Sequence, residues 1–148
     1  MVKKMKGYNF KISLVLGVAA GSILLPIFRL LSMPITGSIL AFVVAGFVTS
    51  CMFLPEAKNG DKTFKRKASA GAASAVIIGL MISAVFYLYY ILYLKASIVP
   101  SASHDINMAV YVGVMLIITV LGGFVLGNLG GAIGAILGDA VDAVSKKR

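Results

Sequence analysis

Four long apolar stretches, separated by short polar segments that hold almost all the charge, constrain this chain more than any other feature. They run over residues 12–31 (interrupted only by Arg29), 35–54, 68–94 and 106–138. Each supplies at least the ~20 apolar residues that a helix needs to cross ~30 Å of hydrocarbon. The predicted fold is therefore all-α: a polytopic transmembrane bundle of four helices forming a single membrane domain over residues 1–148. Only 13% of residues are charged, against about 25% in a soluble domain. The longest polar segment between runs, residues 55–67, leaves no room for a soluble domain beside four spans.

A net charge of +9 would suit a nucleic-acid binder, but its distribution argues otherwise. Lys3, Lys4, Lys6 and Lys11 precede the first run, and Lys58, Lys62, Lys65, Arg66 and Lys67 lie between the second and third. Lys146, Lys147 and Arg148 end the chain. With four spans, these three groups fall on one side, and only Arg29 and Lys95 fall on the other. The positive-inside rule puts the basic side in the cytoplasm, so both termini are predicted to be cytoplasmic in a multi-pass cell-membrane protein. No nucleic-acid partner is expected. Anionic lipid headgroups are the expected partners of Lys65, Arg66 and Lys67. The basic start followed by residues 12–20 and Gly21-Ser22 has the look of a signal peptide, but the apolar run continues to Leu31, too long for a signal core.

Local features fit this plan. Pro26 should kink or loosen the last turn of the first helix, and Arg29, close to the outer boundary, should snorkel to the headgroups. Ser32-Met33-Pro34 reads as a tight outer turn, with Pro34 opening the second helix in its first turn. Asn59-Gly60 signals a turn in the basic loop. Phe86, Tyr87, Tyr89, Tyr90 and Tyr93 read as an interfacial aromatic belt. Asp105 is expected to cap the fourth helix, with Ser103 as the alternative. The His104–Asp105 pair lacks the further ligands a metal site needs. Cys51 is the only cysteine, so no intramolecular disulfide forms, and it reads as a small buried residue.

The fourth run is too long for one span: 33 residues would extend ~50 Å at ~1.5 Å per residue. Either the helix tilts and protrudes or it breaks around Gly130-Gly131. The preferred reading is a span to about Asn128, continuing beyond the membrane. Asp139 and Asp142 then lie exposed on that extension, dispensable for folding, with Asp142 and Lys146 paired at i,i+4.

The most specific local pattern is glycine at every fourth residue. Gly123, Gly127 and Gly131 form one stripe, overlapped by Gly130, Gly134 and Gly138. Gly17 and Gly21 repeat the spacing in the first helix, as do Gly71 and Gly79 in the third. Four-residue spacing returns to nearly one helix face, and glycine there lets another backbone approach closely. These positions, with Asn128 as an interhelical hydrogen-bonding group, are the candidate helix-packing residues, within the chain or across a homo-oligomer seam. A faint repeat between residues 17–24 and 71–78 would fit duplicated hairpins.

Pro34-Ile-Thr-Gly37 leading to Ala45-Gly46, the basic loop running into Lys67-Ala-Ser-Ala-Gly71, and the Gly122-Gly123, Gly130-Gly131 and Gly134 stripe together resemble a family of small archaeal four-helix integral membrane proteins. That family has no assigned function. The resemblance covers most of the chain, rests on glycine patterns, and implies the topology without any functional residue.

The main part of each span carries no acidic residue of the kind that proton or sodium relays use. Nor does the sequence hold paired carboxylates, a Cys/His metal set, a nucleophile elbow or a phosphate-binding loop. No catalytic, cofactor-binding or metal-binding residue is predicted, no cofactor is expected, and the chain does not read as an enzyme. The expected role is a structural or accessory bundle that packs with a larger membrane complex or with itself. The alternative is an oligomeric pore, holin-like permeabiliser or small-solute channel built on the glycine stripe.

Overall fold

The computed structural model describes residues 9–54, 60–89, 91–92 and 102–146. Among them are four α-helices: α1 (Phe10–Leu30), α2 (Pro34–Met52), α3 (Gly60–Tyr89) and α4 (Ala102–Lys146). All four are long and apolar enough to cross a membrane. At ~1.5 Å per residue α1 and α2 are about 30 Å long, α3 about 45 Å and α4 about 67 Å.

The helix ends show where local chemistry overrides hydropathy. Pro34 opens α2 in its first turn, where a missing N–H costs nothing. α1 runs through Pro26 to Leu30. It closes with Met33 N–H donating to the Phe28 carbonyl (2.9 Å) and Ser32 N–H to the Arg29 carbonyl (3.1 Å). That pair of bonds is a Schellman closure, and it places Ser32 at φ 58°, a left-handed conformation that glycine would adopt more easily.

α3 begins at Gly60, eight residues before the apolar run, so most of the basic segment is helical rather than loop. α4 begins at Ala102 and continues without a break through Gly130-Gly131. Of the two readings of the fourth run, the structure takes the unbroken one. Ser103 and Asp105 consequently lie inside α4 and not at its cap. Tyr90, Tyr93, Lys95 and the Asn59 turn position lie outside the described residues, as do the side chains of His104, Asp142 and Lys146.

The helices alternate in direction. Gly17 faces Thr49 and Ala45, while Gly21 faces Ala41, so α1 and α2 are antiparallel. Gly71 faces Gly131 and Gly79 faces Thr119, so α3 and α4 are antiparallel as well. α2 and α3 each pack against all the other helices, whereas among the described residues α1 and α4 do not pack on each other. α2 and α3 thus form the central pair, flanked by α1 and α4. We term the end where α1 and α3 start, and α2 and α4 finish, the basic end.

The interior is built of small residues. Ala41, Ala45, Ala75, Ile78 and Ala135 are fully buried, as are the hydroxyl residues Ser13, Thr49, Ser50 and Ser74. Phe42 joins Ala45, Ala75 and Ile78 in the core, with Val18, Leu25, Ile82 and Leu126 packed around them. The large apolar side chains point the other way: Val15, Ile23, Leu30, Ile35, Val110, Leu121 and Ile136 are all more than half exposed.

Candidate functional site

Three helices meet backbone to backbone where Gly46 of α2, Gly71 of α3, and Gly127 and Gly131 of α4 converge. A Cβ placed on Gly71 would lie 2.8 Å from both the Gly131 Cα and the Gly46 carbonyl oxygen, and 3.0 Å from the Gly127 oxygen. The same pattern extends along each seam. Gly123 faces the Ala75 carbonyl, Gly79 the Thr119 carbonyl, Gly131 the Ala68 carbonyl, Gly130 the Val43 carbonyl and Gly134 the Phe47 carbonyl. On the other flank, Gly17 and Gly21 face the carbonyls of Ala45 and Ala41. A carbonyl oxygen set against a glycine Cα–H on a neighbouring helix is a weak but recurrent helix–helix contact, and it requires backbones that side chains would hold apart.

Two of the candidate packing residues differ from the rest. A Cβ on Gly138 would make only ordinary contacts, the nearest being the Lys67 ammonium at 3.8 Å. Among the described residues Asn128 makes no hydrogen bond to another helix: its Nδ2 donates to the Phe124 carbonyl of its own helix at 3.0 Å. The amide reaches back one turn, as short polar side chains in helices do. Gly113 and Gly122, on the same helix, have nothing within 4 Å of a Cβ position.

The polar ties between helices gather on α4. At the far end, the hydroxyls of Ser83 and Thr119 share a 2.7 Å hydrogen bond. At the basic end, the last turn of α2 donates twice to α4: the buried Ser50 hydroxyl to the Gly131 carbonyl at 2.7 Å, and the Cys51 thiol to the Gly134 carbonyl at 3.3 Å. α3 adds an ion pair, Lys67 Nζ to Asp139 Oδ1 at 2.7 Å.

That ion pair changes two expectations. By sequence Lys67 groups with Lys65 and Arg66 as a headgroup ligand, yet its side chain is only 3% exposed. Asp139 is exposed, at 60%, but it is not idle, because it neutralises a buried ammonium. The position of Lys67 explains its burial. It lies four residues before Gly71 and eight before Ala75, on the same small-residue face of α3 that meets α4. Lys65, about 200° round the helix from Lys67, and Arg66, about 100° round, are exposed.

Sequence reasoning missed the ties at Ser50 and Lys67–Asp139. For Lys67 the signal was available in its register with Gly71. For Ser50 none was, since a serine near the end of a span has no distinctive neighbour in sequence. The Ser22 hydroxyl of α1 and the Thr49 hydroxyl of α2 are buried without a hydrogen-bond partner among the described residues. Also among the described residues, no group of three or more His, Cys, Asp or Glu could hold a metal ion.

No family model, no curated protein and no solved structure matches this chain.

Proposed function

We propose that the chain is a multi-pass integral membrane protein whose basic end faces the cytoplasm, and that it serves as a structural or accessory bundle packing with a larger membrane complex or with a second copy. One observation carries this reading: the bundle is inside-out relative to a soluble protein. Serine, threonine, alanine and glycine make up most of its interior, with Phe42 and Ile78 as the large buried side chains, while most of its leucines, isoleucines and valines outside that core face outward. Water would oppose that arrangement at roughly 25 cal/mol for each Å² of apolar surface left exposed, whereas hydrocarbon does not. The basic groups before α1, between α2 and α3, and after α4 support the cytoplasmic assignment.

Packing is favoured over conduction because the place where α2, α3 and α4 meet is occupied by touching backbones at Gly46, Gly71, Gly127 and Gly131. A pore or holin-like assembly would have to be lined between copies rather than within one. The glycine pattern, which resembles that of small archaeal four-helix membrane proteins, would fit the same packing role. Extraction from the source membrane in mild detergent, followed by native mass spectrometry, tests the proposal. Co-purification with a fixed partner or as a fixed low copy number supports it. A purely monomeric protein, or large rings accompanied by ion or solute flux in vesicles, refutes it.

A further inference from the structure

We infer that the three adjacent basic residues at the start of the α3 span have separate roles: Lys65 and Arg66 bind the phosphate of an anionic phospholipid, and Lys67 is withdrawn as an internal anchor. This rests on the membrane reading above and deepens it by naming the lipid-binding side chains. Asp139 cancels the charge of Lys67 at 2.7 Å, and burial keeps its ammonium from the surface. The two charges that remain outward on this turn are those of Lys65 and Arg66, both exposed. One turn further along the same face stands Ser69, whose hydroxyl donates to the Arg66 carbonyl at 3.0 Å.

The face then becomes apolar, passing the half-buried Ala73 and Val76. From Arg66 to Val76 is about ten residues, or about 15 Å of helix, which matches one leaflet of a ~30 Å core. The geometry therefore offers, in order, two cations at the phosphate level, a hydroxyl below them, and an apolar strip one acyl chain long. A guanidinium suits a phosphate because its donors form a planar fork, and an anionic headgroup meets the charge that a zwitterionic one does not.

The test uses the full chain in detergent, titrated with phosphatidylglycerol or phosphatidylcholine, with bound lipids counted by native mass spectrometry. Wild type should bind phosphatidylglycerol preferentially. The Lys65→Gln/Arg66→Gln variant should lose about 25-fold in affinity for it, at roughly 1 kcal/mol per basic side chain near an anionic surface, with phosphatidylcholine binding unchanged. Lys67→Met should keep the preference, and millimolar inorganic phosphate should not displace the lipid. Retained preference in the double variant, an equal loss in Lys67→Met, or displacement by inorganic phosphate would overturn the inference. Because Lys65 and Arg66 are exposed, the double variant should melt as wild type does. Insertion into neutral bilayers without any preference for the anionic lipid would overturn this inference alone. Failure to insert into neutral bilayers would overturn the membrane reading and this inference with it.

Discussion

Gly122 and Gly123 are neighbours on α4 with the same chemistry and opposite surroundings, and changing each to alanine separates packing from composition. A Cβ on Gly122 meets nothing within 4 Å, whereas a Cβ on Gly123 would lie 2.8 Å from the Ala75 carbonyl oxygen and 3.1 Å from its carbon. That is about 0.5 Å inside the ~3.3 Å at which a carbon normally sits against a carbonyl oxygen. The obstructing atoms are backbone within α3, so no side chain can rotate away. α3 and α4 must instead separate, along a seam that includes Gly79 against Thr119 and Gly71 against Gly131. A gap of roughly 0.5–1 Å forfeits roughly a quarter to a half of each van der Waals contact along it. Overpacking of this kind costs about 1–3 kcal/mol, so Gly123→Ala should lose about 2 kcal/mol. Gly122→Ala should be neutral or stabilising by up to about 1 kcal/mol, because nothing obstructs the new Cβ and alanine favours the helix over glycine by about that much. Reversible unfolding in mixed micelles, with mild detergent progressively replaced by SDS and helicity followed by circular dichroism, gives both values. Equal stabilities for the two variants would refute the claim that α3 and α4 meet at backbone contact.

Three further outcomes are expected in the same assay. Asp139→Asn should cost about 1–2 kcal/mol, below the ~3–5 kcal/mol of a fully buried broken pair because solvent reaches the exposed carboxylate. Lys67→Met, which leaves no buried charge behind, should cost less, and the reverse order would remove the ion pair's role. Thr49→Val puts a methyl where the unpartnered hydroxyl already lies tight against Gly17 and should cost about 1–3 kcal/mol by overpacking; a neutral result would show that α1 and α2 are not in close contact there. Ser32→Gly relieves a left-handed residue in the α1 closure and should stabilise by about 0.5–1 kcal/mol, with a loss showing that the serine is not strained.

Much of the fold could be read from hydropathy alone. The 12–31 and 35–54 runs match α1 and α2 to within two residues, because Arg29 and the Ser32-Met33-Pro34 turn bracket them with strong local signals. The start of α3 was not legible. Lys62, Lys65, Arg66 and Lys67 look like loop by charge, yet lysine and arginine are good helix formers, and packing of Lys67 against α4 holds the segment in register. Nor was the continuity of α4. Two adjacent glycines cost about 1 kcal/mol each in an isolated helix, but here Gly130 and Gly131 seat against Val43 and Ala68. For the candidate site, residue type and spacing were visible in the sequence, whereas partners were not. A four-residue stripe identifies a face without saying which helix it meets, and an amide such as Asn128 can satisfy itself on its own helix.

The central claim is that four helices cross the membrane with the basic end in the cytoplasm. Single cysteines at Asn59 and Ser101, in a Cys51→Ser background, test it most directly when intact cells are treated with a membrane-impermeant maleimide. The account predicts that Ser101→Cys is labelled from outside and that Asn59→Cys reacts only after permeabilisation. Labelling of Asn59→Cys in intact cells, with Ser101→Cys protected or labelled alongside it, would contradict the account.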